Sequence, residues 1–332
     1  MIRVFTIPPF ERRQKGRYRA HVGFKEMVNK SQVRFIVGKG GVGKTTLTAA
    51  IGLAAAALGR RVQMIELEGR SELARSFDTE ATLGPYPTAL FEHESGATVV
   101  GRHLAPDAAL LEWMSDHGFG RLLPRLRATG AVDIIATAVP GIRDVLILGK
   151  IKAIARENPG DLILIDAPAT GHSLSLLASP GSLMDATRTG PIRRQADEVA
   201  AMLRDEDRCC VSLVTIPAEL PVTEAIEAAY TLEDRAGVAL STVFVNQYVG
   251  SDPALREPLS DPERWQLDAS IVTALERARR FTLAKVDEEE RQRRRLASDL
   301  PLPQMIVPHV QADTIGLEQL FEIATALLED HS

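Results

Sequence analysis

The feature that most constrains the fold of this chain is the stretch 35–46, which reads Phe-Ile-Val-Gly-Lys-Gly-Gly-Val-Gly-Lys-Thr-Thr. Gly38, followed after four residues by Gly43, Lys44 and Thr45, fits a phosphate-binding loop between a strand and a helix. Glycines allow backbone N–H groups to surround a phosphate, and the helix that follows points its positive end at the same anion. The stretch therefore predicts a site for a nucleoside triphosphate.

The same pattern predicts what individual side chains do. Lys44 is expected to reach the β- and γ-phosphates, and the hydroxyl of Thr45 is expected to ligate Mg²⁺. The residues predicted to contact the nucleotide are Gly40, Gly41, Val42, Gly43, Lys44, Thr45 and Thr46.

Lys39 follows the first glycine of the loop, where a cation is not needed to build the turn. With this lysine, the loop resembles that of the deviant phosphate-loop (deviant Walker A) NTPases, which dimerise face to face. In that class the lysine contacts the phosphates of the neighbouring subunit's nucleotide. The resemblance implies a dimer in which Lys39 joins Lys44 in catalysis, and the alternative is a solvated surface lysine.

Composition limits the class of protein. With 332 residues, 45% of them hydrophobic, the chain can build one large α/β domain or two small ones. A formal net charge of −5 does not favour a nucleic-acid partner, and no apolar run is long enough to span a bilayer. Cys209 and Cys210 are adjacent and make a poor disulfide or metal pair, which favours a reducing cytoplasm.

Residues 1–30 differ from the rest because they are basic and contain only two acids. No apolar segment follows the basic residues, so they are not a secretory signal. We predict a disordered, dispensable tail; alternatively, Met27 is the true start. Residues 31–332 are predicted to form a single P-loop domain.

Apolar, β-branched runs alternate with helical patterns along that domain. They predict an α/β fold of the P-loop NTPase type, with a mostly parallel sheet flanked by helices and an inserted helical subdomain. Helical excursions are expected at about 106–157 and 183–204, and residues 261–300 are expected to be helical with an exposed charged run. The predicted strands are 33–37, 62–67, 98–100, 162–166, 211–215, 242–246 and 304–307.

Asp166 ends one of these apolar strands, where a second-strand aspartate would hold the Mg²⁺ shell. The residues after it lead through Ala-Pro-Ala-Thr-Gly to His172. Proline, glycine and histidine directly after the predicted metal-binding aspartate suggest a loop with two conformations, one of which is favoured when the γ-phosphate is present. His172 could otherwise be an ordinary residue at the start of a helix.

Four segments carry a resemblance to a known family. Residues 166–172 are similar to its Asp-Thr-Ala-Pro-Thr-Gly-His motif, and 104–114 are similar to its Asp-Pro-x-x-Ala-Leu-x-Glu-Tyr stretch. Residues 140–144 match its Pro-Gly turn, and 245–247 match its Val-Asn-Gln. The chain thus resembles the arsenical-pump ATPase (ArsA) family, which includes the eukaryotic factor that delivers tail-anchored membrane proteins.

The resemblance implies ATP as the nucleotide and further site residues. Asn246 is implied as the reader of adenine, with Pro308 and His309 covering the other edge of the base through backbone groups. Glu68 stands where the family has the aspartate that orients the attacking water. Because Glu68 is one methylene longer, hydrolysis is expected to be slow, or the chain to pair with a more active paralogue. Glu66 is expected to point to the opposite face of its strand end.

Other departures concern the client. The family's metalloid site and its Cys-x-x-Cys zinc clasp are absent from this sequence. The stretch between the switch region and the next strand, about 180–208, is shorter than in members that deliver tail-anchored proteins. Less apolar surface is therefore offered to a client.

Two function hypotheses follow. The first is a cytoplasmic Mg²⁺-dependent ATP hydrolase that acts as a nucleotide-driven dimeric switch, paired with itself or a paralogous subunit, with a membrane-protein or transport partner. The alternative is a partition or septum-positioning scaffold ATPase, whose septum-positioning members end in a basic membrane-lying helix. Here the final helix has an acidic polar face, which favours core packing without membrane insertion. Its apolar face comprises Leu317, Leu320, Phe321, Ala324 and Leu328. An electron-donating reductase would need cluster-binding cysteines that are missing.

Overall fold

The computed structural model describes residues 23–68, 71–115, 141–250, 252–257 and 268–329. Within these ranges an eight-stranded sheet runs in the order β3-β4-β2-β5-β1-β6-β7-β8. Every neighbouring pair is parallel except β3 and β4, which are antiparallel. The strands are β1 Val33–Gly38, β2 Val62–Glu66, β3 Thr88–Glu92, β4 Thr98–His103, β5 Leu162–Ala169, β6 Cys209–Thr215, β7 Leu240–Tyr248 and β8 Gln304–Pro308.

The predicted fold class is confirmed, and each of the seven predicted strands is present. The eighth strand, β3, was not predicted from the sequence. It lies at the antiparallel edge of the sheet, and its five residues are only partly buried or exposed. A strand without a continuous apolar run lacks the pattern that identifies the buried strands.

Helices cover both faces of the sheet, which explains why all six residues of β1 are buried. The helices α1, α2, α3 and α10 lie on one face, around Ile36 and Met64, while α4 to α9 lie on the other, around Phe35 and Ile165. The helices are α1 Phe24–Lys30, α2 Lys44–Ala57, α3 Glu72–Ser76, α4 Pro106–Met114, α5 Ile142–Glu157, α6 Thr170–Ala186, α7 Pro191–Arg204, α8 Glu219–Thr231, α9 Ala269–Asp299 and α10 Leu317–Glu329.

The predicted tail boundary at residue 30 is wrong. Phe24, Met27 and Val28 are buried in α1, which therefore belongs to the domain. The carbonyl oxygen of Met27 accepts a hydrogen bond from the fully buried guanidinium of Arg34 in β1, which fastens α1 to the sheet. Residues 1–22 of the predicted tail lie outside the described residues.

The helical excursions are found in part. The first comprises α4 and α5, and residues 116–140 between them lie outside the described residues. The second is α7 together with the end of α6, which begins earlier than expected, at Thr170. None of the helices described is both long and apolar enough to cross a membrane.

The charged helix α9 is 31 residues long. Its charged run forms the expected pairs along the helix, such as Arg293 with Glu290 at 2.9 Å. Glu289 also pairs along the helix, with Lys285 at 3.9 Å, but its carboxylate is buried and accepts a hydrogen bond from the backbone of Val249.

The final helix, α10, packs on α2 as predicted. The residues on its buried face are Leu320, Ile323, Ala324 and Leu327. Phe321, which was expected on that face, is 42% exposed and meets the ring of Phe91 edge-on. Cys209 and Cys210 are buried free thiols in β6.

Candidate nucleotide-binding site

The loop between β1 and α2 requires glycine at several positions. A Cβ atom on Gly38 would lie 2.4 Å from the carbonyl oxygen of Val214 in the neighbouring strand. Gly41 and Gly43 have φ of 85° and 88°, in the left-handed region that favours glycine. Since Gly43 caps α2 without a side chain, the first N–H groups of the helix face the loop. The backbone thus forms the anion-binding cradle that the sequence predicted.

Lys44 begins α2, and its ammonium group is folded back over the loop. Its Nζ donates a hydrogen bond of 3.1 Å to the carbonyl oxygen of Lys39. Burial lowers the pKa of Lys44, while the carboxylates of Asp166, Glu68 and Glu72 oppose that shift. The lysine is therefore surrounded by acidic groups from three segments of the chain.

Thr45 and Asp166 meet directly, although 121 residues separate them. The hydroxyl of Thr45 donates a 2.7 Å hydrogen bond to Oδ2 of Asp166, because β5 lies next to β1 with Ile36 level with Asp166. Burial raises the pKa of Asp166 to about 6, against the opposing effects of Thr45 and Lys44.

The other carboxylate oxygen of Asp166, Oδ1, is buried and has no hydrogen-bond partner among the described residues. A buried acceptor without a partner is costly and rare in native proteins. A hydroxyl beside a carboxylate with an unused oxygen suits Mg²⁺, which prefers oxygen ligands. Thr45 and Asp166 therefore fit the metal that the sequence predicted for them.

Asn246 lies at the end of β7 against the same loop. Its Nδ2 donates a 2.8 Å hydrogen bond to the carbonyl oxygen of Val42. A Cβ atom on Gly43 would lie 2.4 Å from this Nδ2, so glycine at 43 also makes room for the amide. Within the described residues no group donates to Oδ1 of Asn246, which leaves an acceptor for a base edge.

Pro308 ends β8 level with Tyr248, two residues after Asn246 on the neighbouring strand, and His309 follows it. The backbone N–H of His309 donates to the carbonyl oxygen of Tyr248 at 3.0 Å, and proline has no N–H. The expected backbone contacts to the base are therefore limited to carbonyl groups.

The remaining predicted residues of this stretch are Thr46, Gly40 and Lys39. Thr46 follows in the first turn of α2, and Gly40 is exposed at the tip of the loop. Lys39 turns away from the loop and pairs with Glu224 of α8 at 2.5 Å. The pairing was not predicted from the sequence, and the role of Lys39 toward a partner's nucleotide stays a prediction.

Glu68 follows β2 and lies beside the segment after Asp166. Its Oε1 is 3.9 Å from Nδ1 of His172, and both side chains are well exposed. With Asp144 of α5 and Pro168 they line a cavity of about 280 Å³. Burial raises the pKa of Asp144, and His172 opposes this shift, so the switch segment and α5 interact electrostatically. The role of Glu68 toward water stays a prediction.

The expectation for Glu66 was wrong. Residues two apart on a strand share a face, and Glu66 is level with Asp166 in the neighbouring strand. Its carboxylate oxygens accept hydrogen bonds of 3.1 Å from the backbone N–H groups of Ser71 and Glu72. Glu66 therefore fixes the turn into α3. Glu66 and Glu72 were both missed as members of the site, and the strand period was the signal that could have identified Glu66.

The glycine loop before α2, the paired Thr45 and Asp166, and the parallel sheet define a P-loop NTPase fold. The family model described as anion-transporting ATPase, ArsA, matches residues 31–190. The chain is 33% identical over 263 residues to ATPase BagA of Mycobacterium tuberculosis, covering 76% of this chain and 75% of that protein. It is 25% identical over 301 residues to ATPase ARSA1 of Chlamydomonas reinhardtii, covering 72% of this chain and 38% of that protein. The chain belongs to the ArsA family of ATPases, which implies that its loop binds a nucleotide.

Proposed function

We propose that this protein is a Mg²⁺-dependent ATP hydrolase that acts as a nucleotide-driven dimeric switch. The observation that carries the proposal is the contact of Thr45 with Asp166, beside a phosphate-binding loop and with one buried carboxylate oxygen left unused. Membership of the ArsA family supports the hydrolase activity.

Each group near the loop has a part in binding. The backbone N–H groups of the loop and the ammonium of Lys44 bind the phosphates, and Oδ1 of Asn246 accepts from the adenine amino group. Thr45 and Asp166 would hold Mg²⁺, which when bound neutralises charge on the phosphate oxygens.

The reaction is the hydrolysis of the γ-phosphoryl group. The oxygen of a water molecule bonds to the γ-phosphorus, and the bond from that phosphorus to the bridging oxygen breaks. ADP leaves with the bridging oxygen, inorganic phosphate takes the water oxygen, and one proton passes to solvent. Glu68 orients the water, and its extra methylene relative to aspartate makes the reaction slow.

The switch is the segment from Asp166 to His172, which passes directly from β5 into α6. A shift of His172 changes its electrostatic interaction with Asp144. Because Asp144 lies in α5, the movement of the switch segment is transmitted to that helix. In the dimer, Lys39 acts on the nucleotide of the partner, which is a second copy or a paralogous ATPase. The family resemblance supports a membrane-protein or transport partner and a cytoplasmic location.

No observation favours the scaffold alternative. A septum-positioning ATPase would need its last helix available to a membrane, whereas α10 buries its apolar face on α2.

Calorimetry with ATP and Mg²⁺ tests the proposal at Lys44. Charge-assisted contacts are worth about 1.5–3 kcal/mol, so Lys44→Ala should weaken ATP binding by about ten- to 150-fold. Lys25→Ala, which removes an exposed lysine of α1, is the matched control and should bind ATP as the wild type does. Equal ATP affinity in Lys44→Ala and wild type would contradict the assignment.

A further inference from the structure

Lys39 is held within its own chain by Glu224. Its Nζ lies 2.5 Å from Oε1 of Glu224, a short, charge-assisted contact between residues 185 positions apart. The carbonyl oxygen of Lys39 also accepts a hydrogen bond from Lys44. Both lysines of the loop are thus engaged inside the chain.

The contact lies in a cleft between α6 and α8 of about 350 Å³. Thr170 and Gly171, at the end of the switch segment, form one wall, and Glu224 and Glu227 of α8 form the other. Lys39 is the only cation that lines this cleft in the part of the chain that the structure describes. When Lys39 leaves, two carboxylates remain near each other without its positive charge.

The helix that carries Glu224 is anchored to α9. Arg295 of α9 donates a 3.0 Å hydrogen bond to the hydroxyl of Thr223, and the hydroxyl of Tyr230 donates to the carbonyl oxygen of Asp299. Because α8 is held to α9 at two points, Glu224 is expected to stay in place. When the ion pair between Lys39 and Glu224 opens, the flexible side chain of Lys39 is therefore the part that moves.

We propose that Glu224 is a latch that holds Lys39 within its own chain and competes with its action on the partner's nucleotide. The inference rests on the proposed dimeric switch. One ammonium group cannot lie against Glu224 and reach a phosphate of another subunit at once. Dimer closure therefore opens the latch, and loss of the phosphate allows Glu224 to recapture the cation.

The latch shifts the equilibrium between the separate chains and the closed dimer toward the separate chains, but it does not prevent dimer formation. The side chains of Lys39 and Glu224 are 38% and 30% exposed, and partly exposed ion pairs are worth about 0.2–1 kcal/mol. Removing the latch should therefore favour its open form by about two- to fivefold in each protomer, and a dimer of two copies, which opens two latches, by about four- to 25-fold.

The test uses the full chain and the substitution Glu224→Gln, with Glu227→Gln as the matched control. Glu227 lies three residues further along α8, is exposed and lines the same cleft, and no described residue pairs with it through its side chain. The first measurement is the rate at which an amine-acylating reagent modifies Lys39 without nucleotide, with the site identified by mass spectrometry. The second is association in ATP and Mg²⁺, followed by sedimentation over a range of protein concentrations.

Glu224→Gln should raise the labelling rate of Lys39 by about two- to fivefold, and it should lower the dissociation constant of the homodimer, in which two latches open, by about four- to 25-fold. Glu227→Gln should change neither, and in a Lys39→Ala background Glu224→Gln should not strengthen the dimer. Unchanged labelling in Glu224→Gln would overturn the latch, whatever the association shows. Raised labelling with an unchanged dissociation constant would overturn the competition between latch and dimer. If not even the wild type associates, the dimeric switch itself is wrong, while the labelling still decides whether Glu224 holds Lys39.

Discussion

Nδ2 of Asn246 donates a hydrogen bond to the carbonyl oxygen of Val42, 2.8 Å away, and so joins the end of β7 to the phosphate-binding loop. The amide occupies the space that any side chain at Gly43 would need. We therefore expect two tasks of Asn246 that use different atoms: Nδ2 braces the loop, and Oδ1 accepts a hydrogen bond from the base.

The two tasks of Asn246 make separate predictions for Asn246→Ala. Loss of the base reader should narrow the preference for ATP over GTP. Loss of the brace, worth about 1 kcal/mol, should weaken binding of inorganic tripolyphosphate by about fivefold, although that ligand has no base. Calorimetry with ATP, GTP and tripolyphosphate separates the two. An unchanged preference would exclude the adenine role, and unchanged tripolyphosphate binding would exclude the brace.

The contact of Asn246 with the loop is one of several that the sequence did not predict, whereas the positions of the strands and of the residues at their ends were predictable. The apolar runs located the buried strands, and the loop pattern correctly placed Thr45 near Asp166, because parallel strands end at the same edge of a sheet. Contacts made by long side chains were not predictable in this way. The pairing of Lys39 with Glu224 depends on how α8 docks on the sheet, and no local pattern encodes that docking.

The errors have physical causes too. The segment around Phe24 was assigned to a tail from its charge, although three apolar residues in seven are enough to bury one side of a short helix. Glu66 lies on the face opposite to the expected one, because side chains two residues apart on a strand point to the same side. Glu66 accepts its hydrogen bonds from Ser71 and Glu72, at the start of α3. Residues 69–70, just before them, lie outside the described residues.

Asp166 should destabilise the protein when neither nucleotide nor Mg²⁺ is bound. Burial raises its pKa from 3.8 to about 6. Ionisation of Asp166 therefore lowers the free energy of unfolding by about 3 kcal/mol at most. The folded state binds the proton more tightly, so this part of the stability is present at low pH and is lost as pH rises from about 4 to about 6. Asp166→Asn should raise the free energy of unfolding by about 1–3 kcal/mol at neutral pH, and the gain should shrink toward pH 4.

Urea denaturation in the presence of a chelator, at about pH 4 and about pH 7.5, measures the effect of Asp166→Asn. Asp161, just before β5, is the matched control because it is equally buried and fully paired, with Arg61 and Gln63. Asp161→Asn should lower the free energy of unfolding by about 1–3 kcal/mol. A destabilised Asp166→Asn at neutral pH would show that Asp166 is structural.

Helix α1 should contribute measurably to stability. A chain beginning at residue 31 loses the burial of Phe24, Met27 and Val28, worth about 1.5–3 kcal/mol each, and leaves Arg34 without the carbonyl of Met27. Relative to a chain beginning at residue 23, it should lose more than about 4 kcal/mol of unfolding free energy or fail to fold. A chain beginning at Met27 should lie between the two, since it lacks only Phe24 among the three. Chemical denaturation measures the free energy of unfolding of the three chains. Equal values for the chains beginning at residues 23 and 31 would show that α1 is dispensable.

The last prediction concerns Glu68, which we expect to orient the attacking water. Glu68→Gln keeps the size of the side chain but removes the charge, so ATP binding should be preserved while single-turnover hydrolysis falls by about 10²–10⁴. Glu68→Asp restores the family's side chain and should retain or increase the rate. The side chain is about half exposed and its contact with His172 is 3.9 Å, so neither change should lower the unfolding free energy by more than about 0.5 kcal/mol.

Glu66→Gln provides the contrast to Glu68→Gln. Glu66 is 3% exposed and accepts backbone hydrogen bonds with both oxygens, from Ser71 and Glu72. Its amide variant turns one acceptor into a donor that faces an N–H group, so we expect a loss of about 1–3 kcal/mol of unfolding free energy. Single-turnover hydrolysis and urea denaturation of all four proteins separate a chemical role from a structural one. If Glu68→Gln hydrolysed ATP at the wild-type rate, the water would have to be oriented by another group, and Glu72, whose carboxylate also acts on Lys44, would be the next residue to replace.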